Sequence, residues 1–351
     1  MSSVVPVSAL TESLSNDRAS FAAHEVSTLP VLVISPHNQC NCRCAMCDIW
    51  RIREARQLTP ADLEHQLASF RKMKVRWVAF SGGEAQLNQY IFELAAMLRR
   101  EKIRVTLLTA GLLLEDHAEE IASNIDDITV SLDGPARLHN AIRRVSGAFE
   151  KLAAGARAIR RLRADMPMTA RCTVQKANHL ALCDTVQSAR ELGLNSISFL
   201  AADVTSSAFN RPEGWSFTQQ SKVALDAHEV EQLAAEMERV ITKYCSEEHT
   251  GFVAENSDKL RKIVAHFRAY LGQFEAVAPL CNAPWVSAVI EASGDVRPCF
   301  FHPAFGNIHE GPLTEIVNST AALQFRAKLD IATNPICRRC VCSLHIPVPR
   351  P

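Results

Sequence analysis

The chain has 351 residues, and 47% of them are hydrophobic, which excludes a disordered protein and allows one large domain with a smaller one. Its 38 basic and 38 acidic side chains balance, so the charge gives no indication of nucleic acid or an anionic membrane as a main partner. Residues 1–30 lack the basic start and apolar core of a secretory signal, and no apolar run approaches the ~18 residues that cross a bilayer. We therefore expect a cytoplasmic protein, in which twelve cysteines indicate metal ligation more than disulfides.

The N-terminal half alternates between two kinds of pattern. Residues 1–27 have no clear period and predict a flexible tail. Residues 28–205 alternate apolar, β-branched runs with helical segments, such as the helix that Thr59 and Pro60 open. Because strands that alternate with helices form parallel sheets, this region predicts an α/β domain. The six predicted strands are Val31–Ser35, Val75–Phe80, Arg104–Thr109, Ile128–Leu132, Thr169–Val174 and Ser196–Leu200.

The C-terminal half changes character twice. Residues 206–275 predict a helical connector, in which Asp226 opens one helix with a capping-box pattern and Lys259–Leu271 forms a second. Residues 276–351 predict a small α+β domain that begins with a hairpin of Val286–Glu291 and Val296–Phe300. This last region ends in a segment rich in cysteine and proline.

Four cysteines lie within eight residues directly after the first predicted strand, at Cys40, Cys42, Cys44 and Cys47. Thiolates favour iron–sulfur clusters, zinc and Cu(I). Structural zinc usually takes paired Cys-x2-Cys units, and only one such unit occurs here. The Cys-x3-Cys-x2-Cys spacing of Cys40, Cys44 and Cys47 resembles the signature of the radical S-adenosylmethionine (radical SAM) superfamily, and it leaves Cys42 as the extra cysteine.

This resemblance implies a fold and a pair of cofactors. The fold is an open partial (β/α)6 barrel, whose closure the sequence pattern itself does not decide. Three thiolates hold a [4Fe–4S] cluster and leave one iron open, and S-adenosylmethionine chelates that iron through its amino and carboxylate groups.

A Gly-Gly-Glu turn directly follows the second predicted strand. Gly82 and Gly83 allow a sharp turn and close approach of a ligand, and the Glu84 carboxylate can pair with an ammonium group. Alone, this is a common turn. After the cysteine triplet it resembles the superfamily motif that binds the methionine amino group, although Ala85 stands where relatives usually have proline.

Further polar residues follow the later strands, at the edge where parallel α/β folds bind ligands. Taken singly, each is equally compatible with a capping or surface residue. The resemblance implies that Ser131 and Asp133 lie near the ribose, that Arg171 reaches the methionine carboxylate, and that Met46 packs on the adenine. Thr109 and Arg144 belong to the same implied set of cofactor-binding residues.

The C-terminal cysteines form a second group. Cys281, Cys299 and the Cys337-x2-Cys340 pair make a four-thiolate set that could hold zinc or a [4Fe–4S] cluster, with Cys342 and His345 as alternative ligands. The arrangement resembles a twitch domain, the truncated form of the SPASM module, and this resemblance implies one auxiliary [4Fe–4S] cluster. Cys172, Cys183 and Cys245 are interpreted as ordinary buried or helical cysteines.

The resemblance therefore implies a radical SAM oxidoreductase. Reductive cleavage of S-adenosylmethionine gives a 5′-deoxyadenosyl radical, which abstracts a hydrogen atom from a peptide or small-molecule substrate, and the auxiliary cluster accepts the remaining electron. No side chain is assigned a catalytic role of its own, and an external electron donor such as flavodoxin or ferredoxin is implied. Two alternatives stay open, a non-catalytic iron–sulfur electron-transfer protein and a zinc-stabilised binding module. The Gly-Gly-Glu turn argues against the first, because an electron carrier needs no amino-acid ligand site.

Overall fold

The computed structural model describes residues 23–245 and 251–347, so most of the predicted tail lies outside the described residues. The strands are β1 Val31–Ile34, β2 Trp77–Phe80, β3 Arg104–Thr109, β4 Asp127–Ser131, β5 Met168–Val174, β6 Ser196–Ala201, β7 Ser287–Ile290, β8 Asp295–Arg297 and β9 Gly306–Asn307. The helices are α1 Pro60–Lys72, α2 Ile91–Arg100, α3 Ala118–Asn124, α4 Ala136–Arg143, α5 Ala148–Leu162, α6 Leu182–Glu191, α7 Phe217–Gln220, α8 Ala227–Tyr244, α9 Ser257–Tyr270, α10 Ala283–Val286, α11 Leu313–Ile316, α12 Thr320–Lys328 and α13 Pro335–Arg338.

The first six strands form the parallel sheet that the sequence predicts. They pair in the order β6-β5-β4-β3-β2-β1, with α1 to α6 in the connections between successive strands. Burial alternates along β4 and β6, so one face of these strands packs in the core and the other is partly open. Within the described residues the sheet runs from β6 to β9 without closing, which confirms an open partial barrel.

The predicted C-terminal hairpin is present and extends this sheet. β7 pairs in parallel with β1, from Val31 opposite Ser287 to Ile34 opposite Ile290, and β8 then pairs antiparallel with β7. Beyond the last pair, the Ser35 N–H donates to the Ile290 carbonyl at 2.8 Å. β1 therefore lies between the barrel strand β2 and the hairpin strand β7, and the cysteine loop that follows β1 starts at the junction of the two regions.

The residues just before β1 contact the C-terminal region. The Val26 N–H donates to Asn318 Oδ1 at 2.8 Å, and Asn318 Nδ2 donates back to the Val26 carbonyl at 2.9 Å. The buried Arg326 donates to the His24 carbonyl at 2.5 Å. These bonds anchor the chain just before β1 to the C-terminal region.

The predicted connector is helical and packs on the barrel. Asp226 caps α8 with the expected capping box, and Val230, Leu233 and Met237 are fully buried on its inner face. In the part of the chain that the structure describes, no helix is both long enough and apolar enough to cross a membrane.

Candidate functional site

The cysteine loop is held by the C-terminal end of α4. The Arg43 N–H donates to the Arg143 carbonyl and the Ala45 N–H donates to the Ile142 carbonyl, each at 3.0 Å. The last carbonyls of a helix have no partner within the helix, so they are available to bind another segment. The loop is thus fixed by backbone bonds that do not depend on its thiols.

The four thiols of the loop lie against each other. Cys42 is buried and hydrogen-bonds with both Cys40 and Cys44, and these bonds together with burial raise the pKa of Cys42. The bond with Cys42 and the charge of Arg143 lower the pKa of Cys44 to about 6, although burial opposes them. Burial raises the pKa of Cys47 to about 12. Of Cys42, Cys44 and Cys47, Cys44 is therefore the thiol that most readily ionises.

This donor set suits an iron–sulfur cluster. Among residues 23–245 and 251–347, no three Cys, His, Asp or Glu side chains converge closely enough for one metal ion. A [4Fe–4S] cluster distributes its thiolate ligands over separate irons, so its ligands need not meet at one point. Thiolates are the ligands that such clusters take, and the loop contains four free cysteines; that Cys40, Cys44 and Cys47 are the ligands stays a prediction.

The Gly-Gly-Glu turn packs against the segment that leads into Cys40. The Glu84 N–H donates to the Gln39 carbonyl at 2.9 Å. A Cβ on Gly83 would come within 2.1 Å of that carbonyl oxygen, and a Cβ on Gly82 would come within 2.7 Å of Ser35. Gly82 also has φ +98°, which only glycine adopts readily. Glycine is therefore required at both positions for the turn to contact this segment.

Glu84 itself points into the protein and is fully buried. Its carboxylate accepts hydrogen bonds from the Thr109 hydroxyl at 2.9 Å, the Ala110 N–H at 2.8 Å, and both the N–H and the side-chain amide of Gln86 at 3.3 Å. Burial raises the pKa of Glu84, and these hydrogen bonds oppose that shift. Glu84 thus joins the turn after β2 to the end of β3, and its predicted contact with an ammonium group stays a prediction.

The other predicted residues occupy three settings. Ser131 and Arg171 lie opposite each other on β4 and β5, and Arg171 Nε donates at 3.2 Å to Ser198 Oγ on β6, a residue that was not predicted, so the three form a polar row on the open face. Asp133 is fully buried and forms an ion pair with Arg143 at 2.6 Å. Arg144 is exposed and ends α4 with φ 54°.

A second loop, after β6, is hydrogen-bonded to the cysteine loop, and no sequence motif indicated this contact. Arg211 is buried, forms an ion pair with Asp203 at 3.3 Å and donates to the Met46 carbonyl. The Trp215 indole donates to Asp48 at 2.6 Å and stacks 3.6 Å from the Arg211 guanidinium. These partners are more than 160 residues apart, so no local pattern could have indicated the contact.

The C-terminal cysteines also come together. Burial raises the pKa of Cys337 to about 11 and also raises the pKa values of Cys299 and Cys340, and the neighbouring Cys281 raises all three further. His302 Nε2 lies 3.4 Å from Cys337 Sγ, and the Cys340 thiol donates to the Cys342 carbonyl at 2.9 Å.

Cys342 belongs to the same group. Cys342 is exposed as a whole residue, but burial of its thiol raises its pKa, which Arg171 lowers electrostatically while Cys299 and Asp203 raise it. Arg171 lies on β5 and Asp203 just after β6, so charges of the barrel act on a thiol of the C-terminal group. Five thiols are therefore available where the sequence predicted four ligands and one alternative.

Comparisons with known proteins agree with this arrangement. Residues 34–175 match the Radical SAM superfamily, and residues 281–341 match SPASM, an iron–sulfur cluster-binding domain. The AdoMet-dependent heme synthase of Methanosarcina barkeri is 26% identical over 295 residues, which cover 79% of this chain and 78% of that protein. The pre-heme d1 synthase of Dinoroseobacter shibae is 23% identical over 336 residues, which cover 90% of this chain and 79% of that protein.

Two solved structures share the fold. Streptococcus suis SuiB, bound to its precursor peptide SuiA, superposes with a TM-score of 0.66 at 18% identity, over 93% of this chain and 74% of that one. The anSMEcpe structure with bound AdoMet gives 0.65 at 19% identity, over 88% of this chain and 86% of that one. From the two cysteine groups and the two family matches together, we conclude that the chain is an enzyme of the radical SAM superfamily with a C-terminal SPASM-type domain, and that it uses S-adenosylmethionine with iron–sulfur clusters.

Proposed function

We propose that the protein is an oxidoreductase that cleaves S-adenosylmethionine reductively and removes a hydrogen atom from a peptide or small-molecule substrate. An auxiliary [4Fe–4S] cluster accepts the electron that remains on the substrate, and flavodoxin or ferredoxin donates the electron that reduces the first cluster. One observation carries this proposal: the charges of Arg171 and Asp203, in the barrel whose cysteine loop forms the first thiol group, act on the Cys342 thiol of the second group. In this proposal the substrate binds between the barrel and the C-terminal region, with one thiol group on either side.

Each of the three regions has a separate role in this proposal. Residues 28–205 form the S-adenosylmethionine-binding core, residues 206–275 connect and support it, and residues 276–351 hold the auxiliary cluster. Cys40, Cys44 and Cys47 ligate the first cluster. Four of the five thiols of the C-terminal group ligate the second, and these are Cys281, Cys299, Cys337 and Cys340 unless Cys342 replaces one of them.

The side chains of the core bind and orient, and the cofactors supply the one-electron chemistry when bound. The Gly82–Gly83 turn lets the backbone approach the methionine moiety, and Glu84 and Thr109 fix that turn. The row of Ser131, Arg171 and Ser198 offers hydroxyl and guanidinium donors to a carboxylate. The loop of Arg211 and Trp215 covers one side of the cysteine loop and so limits the access of water to it.

Two substrate classes have support. SuiB and anSMEcpe, which share the fold, have structures that contain peptides, and this supports a peptide. The curated relatives are named for the synthesis of heme and of pre-heme d1, and they match over most of their length, which supports a small molecule of the tetrapyrrole type. The polar row on the open face is compatible with the carboxylates of either class.

The test begins with the cofactor reaction. Anaerobically reconstituted protein should form 5′-deoxyadenosine from S-adenosylmethionine and dithionite, whereas Cys44→Ala should not. Cys245→Ala, which changes a half-buried cysteine of α8's C-terminal cap, is the matched control and should retain the reaction. Absence of 5′-deoxyadenosine from well-loaded protein would favour an electron carrier, and zinc in place of iron would favour a binding module. Candidate peptides and carboxylated tetrapyrroles can then be compared by the 5′-deoxyadenosine they induce.

A further inference from the structure

Arg143 is a buried cation in contact with one cysteine of the loop. Its Nη1 lies 3.5 Å from Cys44 Sγ, and its side chain is only 9% exposed. The backbone carbonyl of the same residue accepts the Arg43 N–H. Arg143 therefore holds the cysteine loop through its backbone and also places a fixed positive charge against a sulfur of that loop.

The negative charge of Asp133 offsets part of the positive charge of Arg143. Its Oδ2 lies 2.6 Å from Arg143 Nη2, and its side chain is fully buried. Three contacts fix Asp133, because Oδ1 accepts the Thr173 N–H at 3.0 Å, its carbonyl accepts Asn178 Nδ2 at 3.0 Å, and its N–H donates to His139 Nδ1 at 3.2 Å. The Cys44–Arg143–Asp133 chain thus has little freedom to rearrange.

We propose that Arg143 and Asp133 set the reduction potential of the cluster held by Cys40, Cys44 and Cys47. The inference rests on the proposed function for that ligand set. On reduction the cluster takes up one electron from the external donor, and no bond is made or broken. A guanidinium beside a ligating sulfur stabilises the more negative, reduced cluster, because charges interact strongly where water is excluded. Charge and hydrogen bonds at the sulfurs are among the factors that determine such potentials.

The two residues act in opposite directions. Arg143 raises the potential and makes reduction easier, and Asp133 lowers it by offsetting part of that charge. Because Asp133 is buried and its second oxygen is paired with Arg143, it acts by offsetting the charge of Arg143. Its effect on the cluster therefore needs no contact between Asp133 and S-adenosylmethionine.

The experiment measures the midpoint potential of the reconstituted full-length protein. Electron paramagnetic resonance monitors the reduced clusters. The signal that changes when S-adenosylmethionine is added belongs to the first cluster and not to the auxiliary one. Arg143→Met should shift the potential to a more negative value, and Arg143→Lys should stay close to wild type. Asp133→Asn should shift it to a more positive value, since asparagine keeps an oxygen for the Thr173 N–H. Arg43→Met removes an exposed charge from the same loop and should shift the potential less than Arg143→Met.

Potential shifts of opposite sign distinguish an electrostatic effect from structural damage, because damage would not shift the potential in opposite directions in Arg143→Met and Asp133→Asn. If Arg143→Met does not bind iron, the Asp133→Asn variant still tests the proposal: a positive shift supports it, and a negative shift or none contradicts it. Unchanged potentials, or shifts in one direction, would overturn the proposal. Cys44→Ala distinguishes this outcome from a wrong ligand set, since a responsive signal that survives in Cys44→Ala would contradict the proposed function instead.

Discussion

Gly83 lies directly on the carbonyl oxygen of Gln39, and a Cβ on Gly83 would approach that oxygen to 2.1 Å. Gln39 immediately precedes Cys40, and the neighbouring Glu84 N–H donates to the same carbonyl. The turn after β2 and the cysteine loop after β1 are therefore packed as one unit. A substitution in either segment should therefore alter the conformation of the other.

We expect Gly83→Ala to lower iron content and stability. The contact is with backbone, so the new methyl group forces the loop to move, and such overpacking costs about 1–3 kcal/mol. Iron analysis and denaturant unfolding measure the two effects. Gly311→Ala is the matched control, because a Cβ there meets nothing within 4 Å. Wild-type iron in Gly83→Ala would show that the loop accommodates the clash without consequence.

Cys40, Cys44 and Cys47 should each be required for the first cluster, whereas Cys42→Ala should retain it. A fourth thiolate would occupy the iron that S-adenosylmethionine needs. Cys42 is buried between Cys40 and Cys44, so its loss should cost stability but not iron. Iron content and 5′-deoxyadenosine formation are the measurements. The assignment is wrong if Cys42→Ala loses the cluster while Cys40→Ala keeps it.

Glu84→Ala should weaken S-adenosylmethionine binding by roughly ten- to hundredfold, the range of a charge-assisted hydrogen bond, and leave iron near wild type. It should also lower the free energy of unfolding by about 1–3 kcal/mol, because the buried Thr109 hydroxyl and Ala110 N–H lose their acceptor. Ligand titration and denaturant unfolding separate the effects. Glu84→Gln keeps a carbonyl oxygen and should be milder in both. Lower stability with unchanged affinity would restrict Glu84 to a structural role.

The features that the sequence predicted correctly are those that depend on a few neighbouring residues. Arg104–Thr109 matches β3 residue for residue, and the capping box at Asp226 matches the start of α8, because strand composition and helix caps act over a few residues. The sequence did not predict that β7 pairs with β1, which lies more than 250 residues earlier. Nor did it predict that Arg143 contacts Cys44, 99 residues away. Contacts between residues so far apart in the chain produce no periodic pattern in a single sequence, so they become visible only in the folded structure.

The Cys281→Ala/Cys299→Ala variant should lose about four irons per chain, one [4Fe–4S] unit, and still cleave S-adenosylmethionine with a strong reductant. The two groups are supplied by separate segments, and the first remains intact in this variant. Product formation should fall because the substrate radical lacks its oxidant, and the C-terminal region should be destabilised because cluster binding contributes to its folding. Cys183→Ala/Cys245→Ala removes two thiols outside both groups and should retain all its iron. Iron for a single cluster in wild type, with zinc bound at the C-terminal cysteines, would refute the auxiliary cluster and the oxidation that depends on it.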